Sequence, residues 1–173
     1  MGAHDRGAFL SDCPALDRYL REQVSQDARR RVSACFIATP DGVRTAGCYV
    51  LASVSVRLPA LPASTGKKLP RYPSVPTVRM GRLAVDRAFK AHGLGDALLE
   101  DALERAARAE IAAFALVVDA KDDAAASFNP HHGFIALPET PLTLFLPLAT
   151  VRQRRVKLWS PRTGVHRSTT VDW

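Results

Sequence analysis

The residue pattern predicts an α/β fold with a mixed central sheet, and three observations carry that reading. An amphipathic helical stretch from Pro14 to Arg31 precedes two β-rich runs separated by Asp41-Gly42. A strand-like run ending near Asp86 passes through a "GLG" turn directly into a long helical pattern. Beyond it the order strand, short helix, strand follows, and helices alternating with strands build layered α/β sheets.

The opening helix is predicted over "PALDRYLREQVSQDARRR". Pro14 suits a first helical position, and Leu16, Leu20 and Val24 recur every four residues beside Tyr19 and Gln23, giving one apolar stripe. Its end carries Arg29, Arg30 and Arg31, which either complement the negative end of the helix dipole or meet phosphate. "VSACFIATP" and "VRTAGCYVLASVSVRL" read as antiparallel strands around Asp41-Gly42, a pair that tolerates the positive φ of hairpin turns. "PALPASTGKKLPRYPSVP" holds five prolines and is expected to lack regular structure. "TVRMGRLAVD" reads as a strand, "GDALLEDALERAARAE" as a helix, "FALVVDA" as a buried strand, "DDAAASF" as a short helix and "LTLFLPL" as the last strand.

At 173 residues and 47% apolar, the chain suffices for one domain with a sizeable core. That domain is expected over residues 1–150, with 151–173 as a basic C-terminal tail. The longest apolar run, Ile111 to Val118, falls far short of the ~20 residues of a membrane-spanning helix. "MGAHDRGAFL" has neither the apolar core of a secretion signal nor the Ser/Thr of a myristoylation motif, so a cytoplasmic protein with no membrane partner is expected. Cys13, Cys35 and Cys48 lack metal-ligand spacing and are expected as buried free thiols.

The formal charge of +7 is unevenly spread. Residues 151–173 hold six Lys/Arg against one Asp; residues 57–90 carry eight basic and one acidic residue, whereas 96–123 carry three basic and eight acidic. Such segregation either steers a polyanion or forms an ordinary solvated face.

Chemistry concentrates in "RLAVDRAFKAHGLGDALLEDALERA". Leu98, Leu99, Ala102, Leu103 and Ala106 form one helical face, with Asp101 and Arg105, and Glu104 and Arg108, spaced as ion pairs on the other. The first N–H groups of a helix have no partner inside it, and the dipole favours an anion there. Gly93 and Gly95 admit a phosphate without a β-carbon in the way, whereas Asp96 favours the helix start and repels a nearby phosphate.

This run resembles the acetyl-CoA-binding segment of the GNAT acetyltransferases, whose loop follows Gln/Arg, any, any, Gly, any, Gly/Ala. "CPALDRYLREQ", "KKLPRYPSVPTVRMGRLAVD" and "AAASFNPHHGFIAL" further resemble the GNAT toxins of bacterial type II toxin-antitoxin modules, the TacT and AtaT kind. The resemblance spans roughly residues 9–149. It implies a single GNAT-like domain, a mixed sheet with helices on both faces and acetyl-CoA held between two splayed strands. The pantetheine arm would pair with Leu83, Ala84 and Val85, and the pyrophosphate would lie on Lys90, Ala91, His92, Gly93, Leu94, Gly95 and Asp96. It further implies charged tRNA as substrate, acetylated on its amino acid, an antitoxin partner and a homodimer. Arg29, Arg30, Lys67, Lys68, Arg71, Arg79 and Arg82 would meet the RNA backbone.

Several positions depart from the family pattern. Lys90 replaces Gln/Arg and can still meet phosphate as a point charge. Ala91 stands where glycine is usual, and His92 where arginine is usual. Asn129 occupies the place of the tyrosine that protonates the departing thiolate; an amide offers a hydrogen bond but no titratable proton. Pro130 lacks an N–H and disfavours helical geometry at Asn129, so a helix begun near Asp123 should stop there. His131 and His132 cannot face one way on a single element, and no metal site is expected. Two functions follow: an N-acetyltransferase of the toxin type, or a catalytically degenerate GNAT-fold protein that binds CoA, nucleic acid or a partner.

Overall fold

The computed structural model describes residues 5–120, 132–153 and 166–168. Its strands are β1 (Ala34–Thr39), β2 (Gly47–Arg57), β3 (Ser74–Val85), β4 (Ala115–Asp119), β5 (Ile135–Ala136), β6 (Thr143–Pro147) and β7 (His166–Ser168). They form one sheet in the order β5-β6-β4-β3-β2-β1-β7. The helices are α1 (Pro14–Glu22), α2 (Val24–Arg29), α3 (Ala63–Gly66), α4 (Leu94–Arg108) and α5 (Leu148–Gln153). The β3–β4 pair is parallel and the pairs β1–β2, β4–β6 and β5–β6 are antiparallel, so the mixed α/β sheet read from the pattern is the architecture found. No helix among the described residues is long and apolar enough to cross a membrane.

Contacts cluster into two compact units, one of residues 1–52, 81–102 and 157–173, the other of 53–80 and 103–156. In the first, α1, α2 and the β1–β2 hairpin enclose a core of Phe9, Leu20, Val24, Ile37, Val50 and Ala84. The single opening helix expected over residues 14–31 is in fact two, divided at Gln23, where φ is −113°. The break lets the Tyr19 hydroxyl donate to Asp27 Oδ2 at 2.9 Å while Leu20 and Val24 stay buried. α2 ends in a Schellman arrangement: Val32 N–H reaches the Asp27 carbonyl, Arg31 N–H the Ala28 carbonyl, and Arg31 adopts φ +56°.

The hairpin is antiparallel as expected, with Ala38 opposite Gly47, but its connection is longer than a two-residue turn. Asp41 Oδ1 accepts from the N–H groups of Val43 and Arg44, which folds the turn, and Gly42 takes φ +80°. Cys35 and Cys48 are the buried free thiols expected, whereas Cys13 is only half-buried because it precedes the first turn of α1. Burial pushes the Cys35 thiol up to about 11 and the Cys48 thiol higher still.

In the second unit, Leu61, Val75, Ala115, Val117, Leu137 and Phe145 form the core. The Pro-rich loop is more regular than expected, holding a 3-10 turn at Leu58–Ala60 and helix α3. Pro59 lies in the first turn of one and Pro62 caps the other, positions where a missing N–H costs nothing. β3 starts at Ser74, three residues before the predicted strand, and its ladder with β4 begins at Thr77↔Ala115, directly after Pro76. Residues 151–153 belong to α5, and residues 166–168 pair with β1 through Thr39↔His166. The helix expected over "DDAAASF" lies outside the described residues.

Candidate functional site

The strand–loop–helix unit is held by Asp86, a buried carboxylate just after β3. It accepts from Ala88 N–H at 2.9 Å and thereby caps the 3-10 turn Arg87–Phe89. It also accepts from Leu10 N–H at 3.0 Å and faces the Arg44 guanidinium at 3.5 Å. Arg44 in turn lies over the Phe89 ring. Asp86 thus anchors the loop that leads to the helix, a role the sequence reading missed. The available signal was an Asp at a strand end two residues before a free N–H, the pattern of a local cap.

Beyond that turn the chain reverses through two left-handed residues, Ala91 at φ +59° and Gly93 at φ +74°. Ala97 N–H closes the first helical bond on the Gly93 carbonyl at 3.1 Å. A β-carbon built on Gly93 or Gly95 meets nothing within 4 Å, so the chain's own packing does not use that space. An open, glycine-lined helix start at the positive end of the helix dipole fits a pyrophosphate.

The predicted apolar face holds the helix in place: Leu98, Leu99, Ala102, Leu103 and Ala106 are all buried. On the opposite side Glu104 pairs with Arg108 at 2.9 Å, and Asp101 accepts the hydroxyl of fully buried Tyr49 at 2.6 Å. Gly47 allows close approach here, since a β-carbon on it would lie 2.8 Å from Leu98 Cδ1 and 3.1 Å from the Ala84 carbonyl.

Of the loop residues, Lys90, Ala91, His92, Gly93 and Asp96 are exposed, Gly95 is half-buried and Leu94 is buried. The Lys90 ammonium donates to Asp12 Oδ2 at 2.5 Å, and Arg87 grips the same carboxylate. Lys90 chiefly, with Arg87, holds the Asp12 carboxyl below its usual range. Leu83, Ala84 and Val85 lie past Met80↔Val118, the last pair of the β3–β4 register. Backbone groups there that no β4 residue takes are what pairing with an extended ligand requires. Arg82, just before them, has φ +56° and sets its guanidinium 3.6 Å from the centre of the Tyr19 ring.

The basic residues separate into different settings. Arg29 and Arg30 are exposed at the end of α2. Arg79 is neutralised by Asp119 at 3.2 Å, and Arg82 is stacked on Tyr19. Lys67 and Arg71 line one groove of the second unit, joined there by Arg57 and Tyr72, which the sequence reading passed over; Lys68 is exposed beside them. Asn129, with its neighbours Pro130 and His131, lies outside the described residues.

Comparison with known proteins agrees with this geometry. Residues 8–134 match the family described as "Acetyltransferase (GNAT) family". A relative from Mycobacterium tuberculosis (strain H37Rv), described as "tRNA-acetylating toxin", is 38% identical over 152 residues, covering 87% of this chain and 90% of the relative. A solved structure described as "AtaT complexed with acetyl-methionyl-tRNAfMet" superposes with a TM-score of 0.81 at 27% identity, over 87% of this chain and 92% of the other. Another, "AtaTR bound with AcCoA", gives a TM-score of 0.75 at 26% identity, over 87% and 91% of the two chains.

Proposed function

Because the chain belongs to the acetyltransferase (GNAT) family, we propose that it transfers the acetyl group of acetyl-CoA to the free amino group of the amino acid on a charged tRNA. The observation that carries the reading is the open glycine-lined start of α4, together with 38% identity to a tRNA-acetylating toxin. The same reading assigns the protein to the cytoplasm, as a homodimer with a cognate antitoxin.

The thioester supplies the activated acetyl group. The remaining work falls to the chain. Amides of the first α4 turn, with Lys90 once it leaves Asp12, hold the pyrophosphate. The backbone of Leu83 to Val85 orients the pantetheine arm as an added strand. Asn129, in the position of the family's tyrosine, donates a hydrogen bond to the departing sulfur but gives it no proton. Loss of a general acid typically lowers a rate by ~10² to 10⁴, so transfer is slow and solvent supplies the proton.

The substitution at Asn129 also favours a second reading, a CoA-binding protein of this fold that transfers nothing appreciable. One experiment separates them: turnover of acetyl-CoA with bulk charged tRNA by this chain and by Asn129→Tyr. The transferase reading expects measurable turnover, raised by the substitution. Equal and vigorous rates would make the tyrosine position dispensable. No turnover by either, with acetyl-CoA still bound, leaves the second reading.

A further inference from the structure

The segment joining β2 to β3 forms a groove of about 890 Å³. We propose that this groove binds an unpaired stretch of RNA, one base stacked on Tyr72 and the flanking phosphates met by Arg57, Lys67 and Arg71. The proposal rests on the charged-tRNA reading above and adds a strand-binding platform that the cofactor site does not need.

Charge is the first argument. From Arg57 to Val85 the chain has six basic residues and no acidic one. The groove itself is lined by three cations and by no carboxylate among the described residues. Arg79, from the same stretch, has its own partner in Asp119, whereas among the described residues no acidic side chain lines the groove beside Arg57, Lys67 or Arg71.

The second argument is Tyr72, which is 64% exposed. An aromatic ring left in water beside cations is the arrangement that takes a nucleobase, because every base offers a π face and stacking tolerates any sequence. An acidic protein segment would satisfy the cations but gives Tyr72 nothing flat to stack on.

Rigidity is the third. Leu61, buried in the core of this unit, is one of the groove's lining residues. Leu58 N–H donates to the Pro73 carbonyl at 3.1 Å and ties the two ends of the loop together. Lys67 N–H and Leu69 N–H close turns on Ala63 and Gly66. Pro59 and Pro73 stiffen the rim, so little ordering is needed on binding. Paired bases bury their faces against each other, hence the preference for an unpaired strand.

The test uses the full chain and two labelled probes, a single-stranded RNA octamer and an RNA duplex, followed by fluorescence anisotropy over a salt series. Tyr72→Ala should weaken octamer binding about tenfold, as loss of one stacked base does, and leave both the salt slope and duplex binding unchanged. Tyr72→Phe should restore the octamer affinity. Arg57→Ala should reduce the single-strand salt slope by about 0.7. Tyr72 is exposed, so an unchanged thermal midpoint verifies folding. The proposal is overturned if the unmodified chain does not bind the octamer, if Tyr72→Ala binds it normally, or if that variant loses octamer and duplex alike. An acidic peptide that displaces the octamer while its own binding ignores Tyr72→Ala also overturns it, in favour of a protein partner. Acetylation of charged tRNA is scored separately: Tyr72-dependent octamer binding without acetylation leaves the groove standing and removes the tRNA-acetylation reading, and the converse removes only the groove.

Discussion

Lys90 and Asp12, 78 residues apart in the chain, are joined by a hydrogen bond of 2.5 Å. The lysine that should greet the pyrophosphate is already held by a carboxylate, which Arg87 also grips. Both partners are about half exposed, so water screens the pair and the bond can exchange for a phosphate. Asp12→Asn should release both cations and remove a negative charge beside the loop. The expected result is a several-fold lower KM for acetyl-CoA with kcat and thermal midpoint little changed. A higher KM would mean that Asp12 positions the loop more than it competes with the cofactor.

Ala91 sits at φ +59°, a conformation that costs an L-residue with a β-carbon about 1–2 kcal/mol. Glycine removes that strain but adds unfolded-chain entropy of roughly 0.5–1 kcal/mol. Ala91→Gly should therefore stabilise the protein by up to about 1 kcal/mol, raising the thermal midpoint by ~2–4 °C, as calorimetry would read.

Gly47 stands under α4, and a methyl there would meet Leu98, the Ala84 carbonyl and Leu94. Overpacking of this kind costs about 1–3 kcal/mol. Gly47→Ala should lower the denaturation midpoint by that amount. It should also weaken acetyl-CoA binding in calorimetric titration, because Leu94 opens the helix whose first turn holds the phosphates.

The thiols make a pH prediction. Burial raises Cys35 from about 9 to about 11, so the folded chain keeps a proton that the unfolded chain releases. Above pH 9 the unfolded state binds fewer protons, and stability falls with rising pH toward 11, by on the order of 2 kcal/mol for this group alone. Equilibrium unfolding at pH 8 and pH 10.5 should show that loss, and Cys35→Ala should reduce it. In the native state a thiol reagent at neutral pH should modify Cys13 rapidly and leave Cys35 and Cys48 intact until unfolding.

What the sequence by itself determined is what short-range periodicity encodes. The face Leu98 to Ala106 was readable because burial of a helix repeats every three to four residues, and all five residues are buried. The turn at Asp41-Gly42, the strand ending at Val85 and the glycine-lined helix start were readable because backbone sterics restrict what each residue can do. The break at Gln23 was not, since both halves carry the same apolar stripe and the Tyr19–Asp27 bond forms only when the two helices bend together. Tertiary structure alone decided that Asp12 meets Lys90, that Asp86 captures the Leu10 amide, and that Arg57 joins Lys67 and Arg71 around Tyr72. These are contacts between distant chain segments, and pairing across such a separation depends on how the intervening sheet and helices close, which no local pattern records.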